Sequence, residues 1–87
     1  MGKYQKILSD VLSGRKDSNI KFEDMKNLLE KMGAECRIRG DHYIFSFKNH
    51  PDIINLQPEG NKAKSYQVKQ IRHFLTFNKI GLEDENV

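Results

Sequence analysis

The sequence predicts a small α+β domain in which a three-stranded antiparallel sheet carries helices on one face, in the order α-α-β-β-β-α. Apolar residues recur at helical spacing near both ends of the chain, and they alternate with polar residues in the middle. A two-residue turn containing glycine joins two of the alternating runs. Because 87 residues suffice for one small core, we expect a single domain, residues 1–82, followed by an acidic tail, residues 83–87.

Two helices are predicted before the sheet. The first ends near Gly14, and the second carries Glu23 and Asp24 in its first turn, where the helix dipole favours acidic side chains, and ends at Gly33. The apolar stripe of the first helix consists of Tyr4, Ile7, Leu8, Val11 and Leu12. The stripe of the second consists of Phe22, Met25, Leu28, Leu29 and Met32.

After the second helix, apolar and polar residues alternate as they do in β-strands, and two of these strands are predicted to form a hairpin. Gly40 and Asp41 separate two alternating runs, and glycine accepts the positive φ that a two-residue turn requires. Strands joined in this way pair Arg39 with His42, and the pairing continues outward from the turn. The register predicts that one face packs on helices through Cys36, Ile38, Tyr43, Phe45 and Phe47. It leaves the open face to Arg37, Arg39, His42 and Ser46.

In the last third of the chain, the sequence predicts a turn at Pro51 and then a third strand over residues 53–57. A polar loop is predicted over residues 58–64. Ser65 is expected to cap a closing helix. The apolar stripe of this helix consists of Val68, Ile71, Phe74 and Leu75, and Lys69 and Arg72 lie on its polar flank.

The composition excludes several classes of protein. Hydrophobic residues make up 37% of the chain and charged residues 31%, which is typical of a soluble domain with a modest core. No apolar run approaches the roughly 20 residues of a membrane helix, and the N-terminus lacks the apolar stretch of a signal peptide. The one cysteine, Cys36, cannot form an internal disulfide. We therefore expect a cytoplasmic protein that does not associate with membranes.

The formal net charge of +3 understates how basic the predicted domain is. Glu83, Asp84 and Glu85 lie in the tail, so the rest of the chain carries a larger positive excess. This balance favours anionic partners, although many small proteins are mildly basic without binding nucleic acid.

Three motifs occur in a characteristic order: RGDHYIF at residues 39–45, INLQP at residues 54–58 and KAKSYQVKQI at residues 62–71. Together with the pattern of residues 6–33, they resemble the HicA family of toxin–antitoxin mRNA interferases over nearly the whole chain. The family's triplet of glycine, small polar residue and histidine corresponds to Gly40, Asp41 and His42. Members commonly have serine in place of Asp41 and often a second histidine in place of Tyr43.

The resemblance implies the toxin of a type II toxin–antitoxin system. It implies a fold similar to double-stranded RNA-binding domains, a metal-independent endoribonuclease activity on mRNA that blocks translation, and a HicB-type antitoxin that covers the site. It assigns the catalytic role to His42 and implies no cofactor.

The chemistry of the candidate residues agrees with this implication. Cleaving RNA without a metal requires a base for the 2′-hydroxyl proton and donors that stabilise the phosphorane, and an imidazole beside arginines can supply both. From spacing alone, the role of an ordinary strand histidine is favoured for His42 over a catalytic one. The candidate RNA-binding residues are Arg37, Arg39, Lys62, Lys64, Tyr66 and Lys69. No metal site is expected, because the histidines and the cysteine lack close ligand spacing.

The basic and aromatic candidates of the last loop and helix each have a structural alternative. Lys62 and Lys64 precede a helix N-terminus that favours anions, but loop lysines are commonly only solvated. Tyr66 is suited either to stacking on an unpaired base or to packing against the sheet edge. Lys69 and Arg72 either steer RNA or, as is commoner for such residues, belong to a solvated face. Two functions other than a ribonuclease are also compatible with the sequence: a non-catalytic RNA-binding module, or a helper that binds only a protein partner.

Overall fold

The computed structural model describes residues 2–82, so Met1 and the predicted acidic tail, residues 83–87, lie outside the described residues. The elements in chain order are α1 (Lys3–Ser13), α2 (Phe22–Lys31), β1 (Glu35–Arg39), β2 (His42–Ser46), β3 (Ile53–Leu56), β4 (Pro58–Glu59), β5 (Lys62–Ala63) and α3 (Ser65–Phe77). The first three strands form an antiparallel sheet in the order β1-β2-β3. The α+β class, the three helices and the three-stranded sheet are therefore as the sequence predicts.

Glycine ends the first two helices, as predicted. Gly14 follows α1 with a φ of 75°, and Gly33 lies just beyond α2 with a φ of 106°. These are left-handed values that glycine adopts without a steric penalty. One residue of the predicted α1 stripe is instead exposed: Leu12 directly follows the fully buried Val11, so the helix turns its side chain about 100° away from the core.

The predicted hairpin register is confirmed. The paired residues are Cys36 with Phe45, Arg37 with Ile44, Ile38 with Tyr43 and Arg39 with His42. Gly40 has a φ of 62°, the positive value that the first residue of a type II′ turn requires. Because a two-residue turn fixes which residues face each other, the order of side chains on both sheet faces follows from it.

The prediction that Ile38 packs on the helices is wrong. Its side chain is 59% exposed, although it shares a sheet face with the fully buried Phe45. Four of the five residues of β1 are exposed, because β1 is the outer strand of the sheet. The helices instead cover the parts of the sheet around Phe45, Ile54 and Leu56.

The segment predicted as a polar loop contains a second hairpin. Glu59 of β4 pairs with Lys62 of β5 across another two-residue turn, in which Gly60 has a φ of 66°. The backbone N–H of Ala63 donates to the carbonyl of Ile20 at 2.9 Å, and that of Phe22 donates to the carbonyl of Asn61 at 3.0 Å. Strands of two residues are too short to show an alternating pattern, so the usable signal in the sequence was the Gly60-Asn61 turn pair, which was assigned to a loop.

Two boundaries around this hairpin also differ from the prediction. The strand predicted to reach Gln57 ends at Leu56, because the Gln57 backbone N–H donates to the Oε1 atom of Gln67, at 2.7 Å. The expected cap at Ser65 is absent: Lys64 precedes the first residue of α3, and no side chain caps that end. The Lys64 carbonyl accepts the first hydrogen bonds of the helix.

An ion pair fastens α3 to the loop between α1 and α2. The Arg72 guanidinium binds both carboxylate oxygens of Asp17, at 2.7 and 3.1 Å, and also donates to the Val11 carbonyl at 3.1 Å. The two side chains are only 25% and 13% exposed. The prediction that Arg72 belongs to a solvated flank is therefore wrong, since its charge is used within the fold.

The Arg72–Asp17 pair should contribute to stability at neutral pH. We expect Asp17→Asn to lower the free energy of unfolding by about 1–3 kcal/mol, because the Arg72 guanidinium would lose the counter-charge that accepts its hydrogen bonds. Urea denaturation at pH 7 measures the difference. Lys6→Met is the control: it breaks an exposed pair with Asp10 at 3.6 Å, which should change stability by less than about 0.5 kcal/mol.

The stabilisation should also depend on pH. The hydrogen bonds from Arg72 hold the pKa of the Asp17 carboxyl below its usual value of 3.8. A group with a lowered folded-state pKa stabilises fully above its unfolded pKa and loses that contribution as the pH falls through the folded pKa. The stability gap between parent and Asp17→Asn should therefore shrink below about pH 4. A gap that widens toward acid pH would contradict this assignment.

Candidate functional site

His42 begins β2 at the end of the first hairpin. Strand alternation directs its side chain to the open face of the sheet, where it is 50% exposed. Its Nε2 atom lies 3.8 Å from the Oδ1 atom of Asp41, which is too long for a hydrogen bond, and Asp41 is itself 68% exposed. Solvent therefore reaches the imidazole, and Asp41 is a neighbouring charge rather than a fixed partner.

Two arginines share the face with His42. Arg39 is directly opposite His42 in the register, which places the two Cβ atoms about 4.5–5.5 Å apart. Arg37 lies two residues further along β1, on the same face. Both arginines are exposed, and within residues 2–82 neither forms an ion pair. A phosphate placed near the imidazole would therefore meet guanidinium groups that are not already neutralised.

Apolar side chains continue the open face beyond the arginines. Ile44 pairs with Arg37, and Ser46 pairs with Ile53, which is 59% exposed. These four residues are among those that line a shallow groove of about 320 Å³ on the sheet. The sequence predicted a purely polar open face. Ile53 was missed because β3 was not assigned a register, whereas the predicted pairing of Ile44 with Arg37 already indicated that Ile44 lies on this face.

The second hairpin brings Lys62 and Lys64 to the same end of the molecule as His42. Tyr43, the neighbour of His42, packs edge-on against Phe22 with ring centroids 4.8 Å apart. Phe22 is in turn hydrogen-bonded to the turn of the β4–β5 hairpin. The hairpin lies on the helix side of the sheet, however, so the two lysines and His42 share an end and not a face. No described hydrogen bond or ion pair connects them.

Gln67 connects the end of β3 to the first turn of α3, and the sequence did not reveal it. Its side chain is 3% exposed. It accepts the Gln57 backbone N–H at 2.7 Å and donates from Nε2 to the Gln57 Oε1 atom at 3.2 Å. A glutamine beside the predicted apolar stripe gives no sign of burial, because only the tertiary contact supplies its partners.

The remaining candidates lie along α3. Tyr66 is 51% exposed, so about half of its surface is accessible to a ligand. Lys69 is exposed and lines a groove with His73 and Phe77. Sequence reasoning placed His73 on the polar flank of this helix and did not single out Phe77. Phe77 is 83% exposed. Phe77 lies two residues after Leu75, so the helical period places it away from the apolar stripe. Its exposure could have been predicted from this position.

Residues 2–82 contain no group of three or more histidine, cysteine or acidic side chains placed to hold a metal ion. Burial, followed by the nearby Glu30 carboxylate, raises the pKa of the Cys36 thiol, which disfavours the thiolate form. No helix in this part of the chain is long and apolar enough to cross a membrane.

Comparison with protein-family models, with curated proteins and with solved structures gave no match.

Proposed function

We propose that this protein is a HicA-type mRNA interferase, the toxin of a type II toxin–antitoxin system acting in the cytoplasm. The observation that carries the proposal is the pairing of exposed His42 with Arg39 at the end of an open sheet face. This pairing provides a solvent-accessible base beside positive charge, which is what metal-independent RNA cleavage requires. The ordered motifs that resemble the HicA family support it independently.

The proposed reaction is an internal transesterification. The His42 imidazole takes the proton of a 2′-hydroxyl, and the 2′-oxygen forms a bond to the adjacent phosphorus. Arg39, with Arg37 beside it, stabilises the additional negative charge of the phosphorane. The bond to the 5′-oxygen then breaks, this oxygen takes a proton from solvent water, and the His42 imidazolium returns its proton to solvent. The products are a 2′,3′-cyclic phosphate and a 5′-hydroxyl end.

We further propose that the fold is of the double-stranded RNA-binding-domain type. The elements α2, β1, β2, β3 and α3 provide a helix, three antiparallel strands and a helix in this order. An exposed sheet face next to basic residues is compatible with RNA contacts through phosphates. In this proposal Lys62, Lys64, Tyr66 and Lys69 bind RNA outside the cleavage site.

One observation favours the alternative of a non-catalytic RNA-binding module. Within residues 2–82, no side chain lies at hydrogen-bond distance from the His42 imidazole to orient it. Catalytic histidines are commonly held by such a partner. Substitution of His42 separates the two functions, because a binding module does not need the imidazole.

His42→Ala should abolish RNA cleavage and growth arrest, because the base is removed. RNA binding should remain, since Arg37, Arg39 and the lysines attract phosphate independently of the imidazole. The melting temperature should stay within a few degrees of the parent, because the side chain is half exposed. Gel-based cleavage of a single-stranded RNA and fluorescence anisotropy measure the two effects.

Ser9→Ala is the control, since Ser9 is an exposed residue of α1, away from the open face of the sheet. It should leave cleavage at the parental rate. A folded His42→Ala protein that cuts RNA as fast as the parent would refute the catalytic assignment and support the binding module.

Cleavage should continue in an excess of EDTA, because the imidazole and guanidinium groups replace the functions of a metal ion. Mass spectrometry of the fragments should find cyclic phosphate at the 3′ ends. Loss of activity in chelator that magnesium restores, or 3′-hydroxyl ends, would show that the proposed chemistry is wrong.

A HicB-type antitoxin should mask the open face of the sheet. Ile44 and Ile53 expose apolar surface beside Arg37, an arrangement that a partner can bury together with the cleavage site. With the antitoxin bound, hydrogen exchange should slow in β1 and β2, and RNA cleavage should stop. Cleavage at an unchanged rate under saturating antitoxin would rule out this arrangement.

A further inference from the structure

Two exposed aromatic rings lie on one face of α3. Tyr66, His73 and Phe77 are separated by seven and four residues, which are close to whole helical turns, so their side chains point within about 20° of a common direction. Tyr66 is 51% and Phe77 83% exposed, and His73 is exposed as well. We call the exposed face formed by Tyr66, Lys69, Gln70, His73 and Phe77 the outer face of α3.

The outer face has a positive charge that is not neutralised along the helix. α3 contains Lys69, Arg72 and His73 and no acidic residue. Arg72 is committed to Asp17, which leaves Lys69 available. The other helices differ: on α1, Lys6 pairs with an acidic residue one turn away at 3.6 Å, and on α2, Lys26 does so at 3.4 Å.

A groove adjoins Phe77 on this face. Its lining consists of Asp52, Lys69, Gln70, His73, Phe74, Phe77 and Asn78, around a volume of about 510 Å³. Phe74 is held in place by stacking on Phe47, with ring centroids 5.7 Å apart, and by an edge contact with His50 at 6.0 Å. The groove therefore combines a supported aromatic wall with amide and cationic groups.

We propose that the outer face of α3 is a stacking platform for single-stranded RNA. Unpaired bases stack on Phe77 and Tyr66, Lys69 contacts a phosphate between them, and the amides of Gln70 and Asn78 are available to base edges. Rings interleaved with polar and cationic groups match the alternation of bases and phosphates in an unpaired strand. A protein partner would instead favour a contiguous apolar centre.

The proposal rests on the proposed function for its choice of RNA, and it specifies the form and length of that RNA. Tyr66 and Phe77 are separated by about 16 Å along the helix axis. A stacked strand advances about 3.4 Å per nucleotide, so the platform spans roughly five nucleotides. The strand would extend away from the His42 end of the molecule, because Phe77 follows Tyr66 toward the Phe47 end of the sheet.

The decisive experiment measures RNA affinity by fluorescence anisotropy in a His42→Ala background, so that the RNA stays intact. Phe77→Ala should weaken binding of an unstructured twelve-nucleotide RNA by about five- to a hundred-fold, the effect of removing one stacking ring. Phe77→Tyr should keep most of the affinity. Binding to a duplex of equal length should not change, because paired bases are not available to the ring.

Two charge variants should change RNA affinity in opposite directions, and they test the phosphate contact. Lys69→Ala should weaken binding and reduce the salt dependence by about 0.7 in the logarithmic slope. Asp52→Asn should strengthen binding, because it removes an acidic group from the groove. Leu12→Ala and Lys31→Ala, exposed residues of α1 and α2, are matched controls whose affinity should stay within about two-fold of the parent, since screening limits charge effects beyond about 8 Å.

Three outcomes would overturn the proposal: unchanged single-strand affinity in Phe77→Ala, an equal loss on duplex RNA, or loss of antitoxin binding with RNA affinity retained. The last would assign the face to a protein partner. Failure of the proposed function is distinguishable, because cleavage is measured separately with His42 intact. A parent protein that binds RNA through Phe77 and never cuts it would refute the nuclease and support the platform.

Discussion

Gly40 holds the turn between β1 and β2 at a φ of 62°, a backbone conformation that favours glycine. This constraint places the two strands in one register, and the register determines which side chains reach the core. A slip of one residue would turn Phe45 to solvent and His42 toward the helices. The buried side chains and the exposed site therefore depend on the same two-residue turn.

The β4–β5 hairpin and Gln67 position α3 against this sheet. Backbone hydrogen bonds connect the hairpin to the start of α2, and the Gln57–Gln67 amide pair connects the end of β3 to the first turn of α3. The bidentate Arg72–Asp17 pair fastens the middle of the same helix to the α1–α2 loop. Such specific polar contacts fix the rotation of α3, and this rotation decides which of its side chains are exposed.

The distribution of charge follows from these contacts. Lys6, Lys16 and Lys26 form partly exposed ion pairs with acidic side chains, and such pairs contribute little to stability. Arg72 is used within the fold, whereas Arg37, Arg39 and Lys69 keep exposed charges on two separate surfaces. One surface is the open sheet face with His42, and the other is the outer face of α3. A chain that binds an extended polyanion benefits from having both.

Periodicity and turn chemistry are local properties of the chain, so the sequence was enough to predict the helices, the first hairpin and the position of His42 beside Arg39. It also predicted the buried residues of α2 correctly. The exposure of Ile38, the Arg72–Asp17 pair and the burial of Gln67 could not be predicted, since each depends on which distant parts of the chain pack together. The exposure of Tyr66 and Phe77 was decided in the same way, because the packing of α3 on the sheet selects the face that remains in solvent.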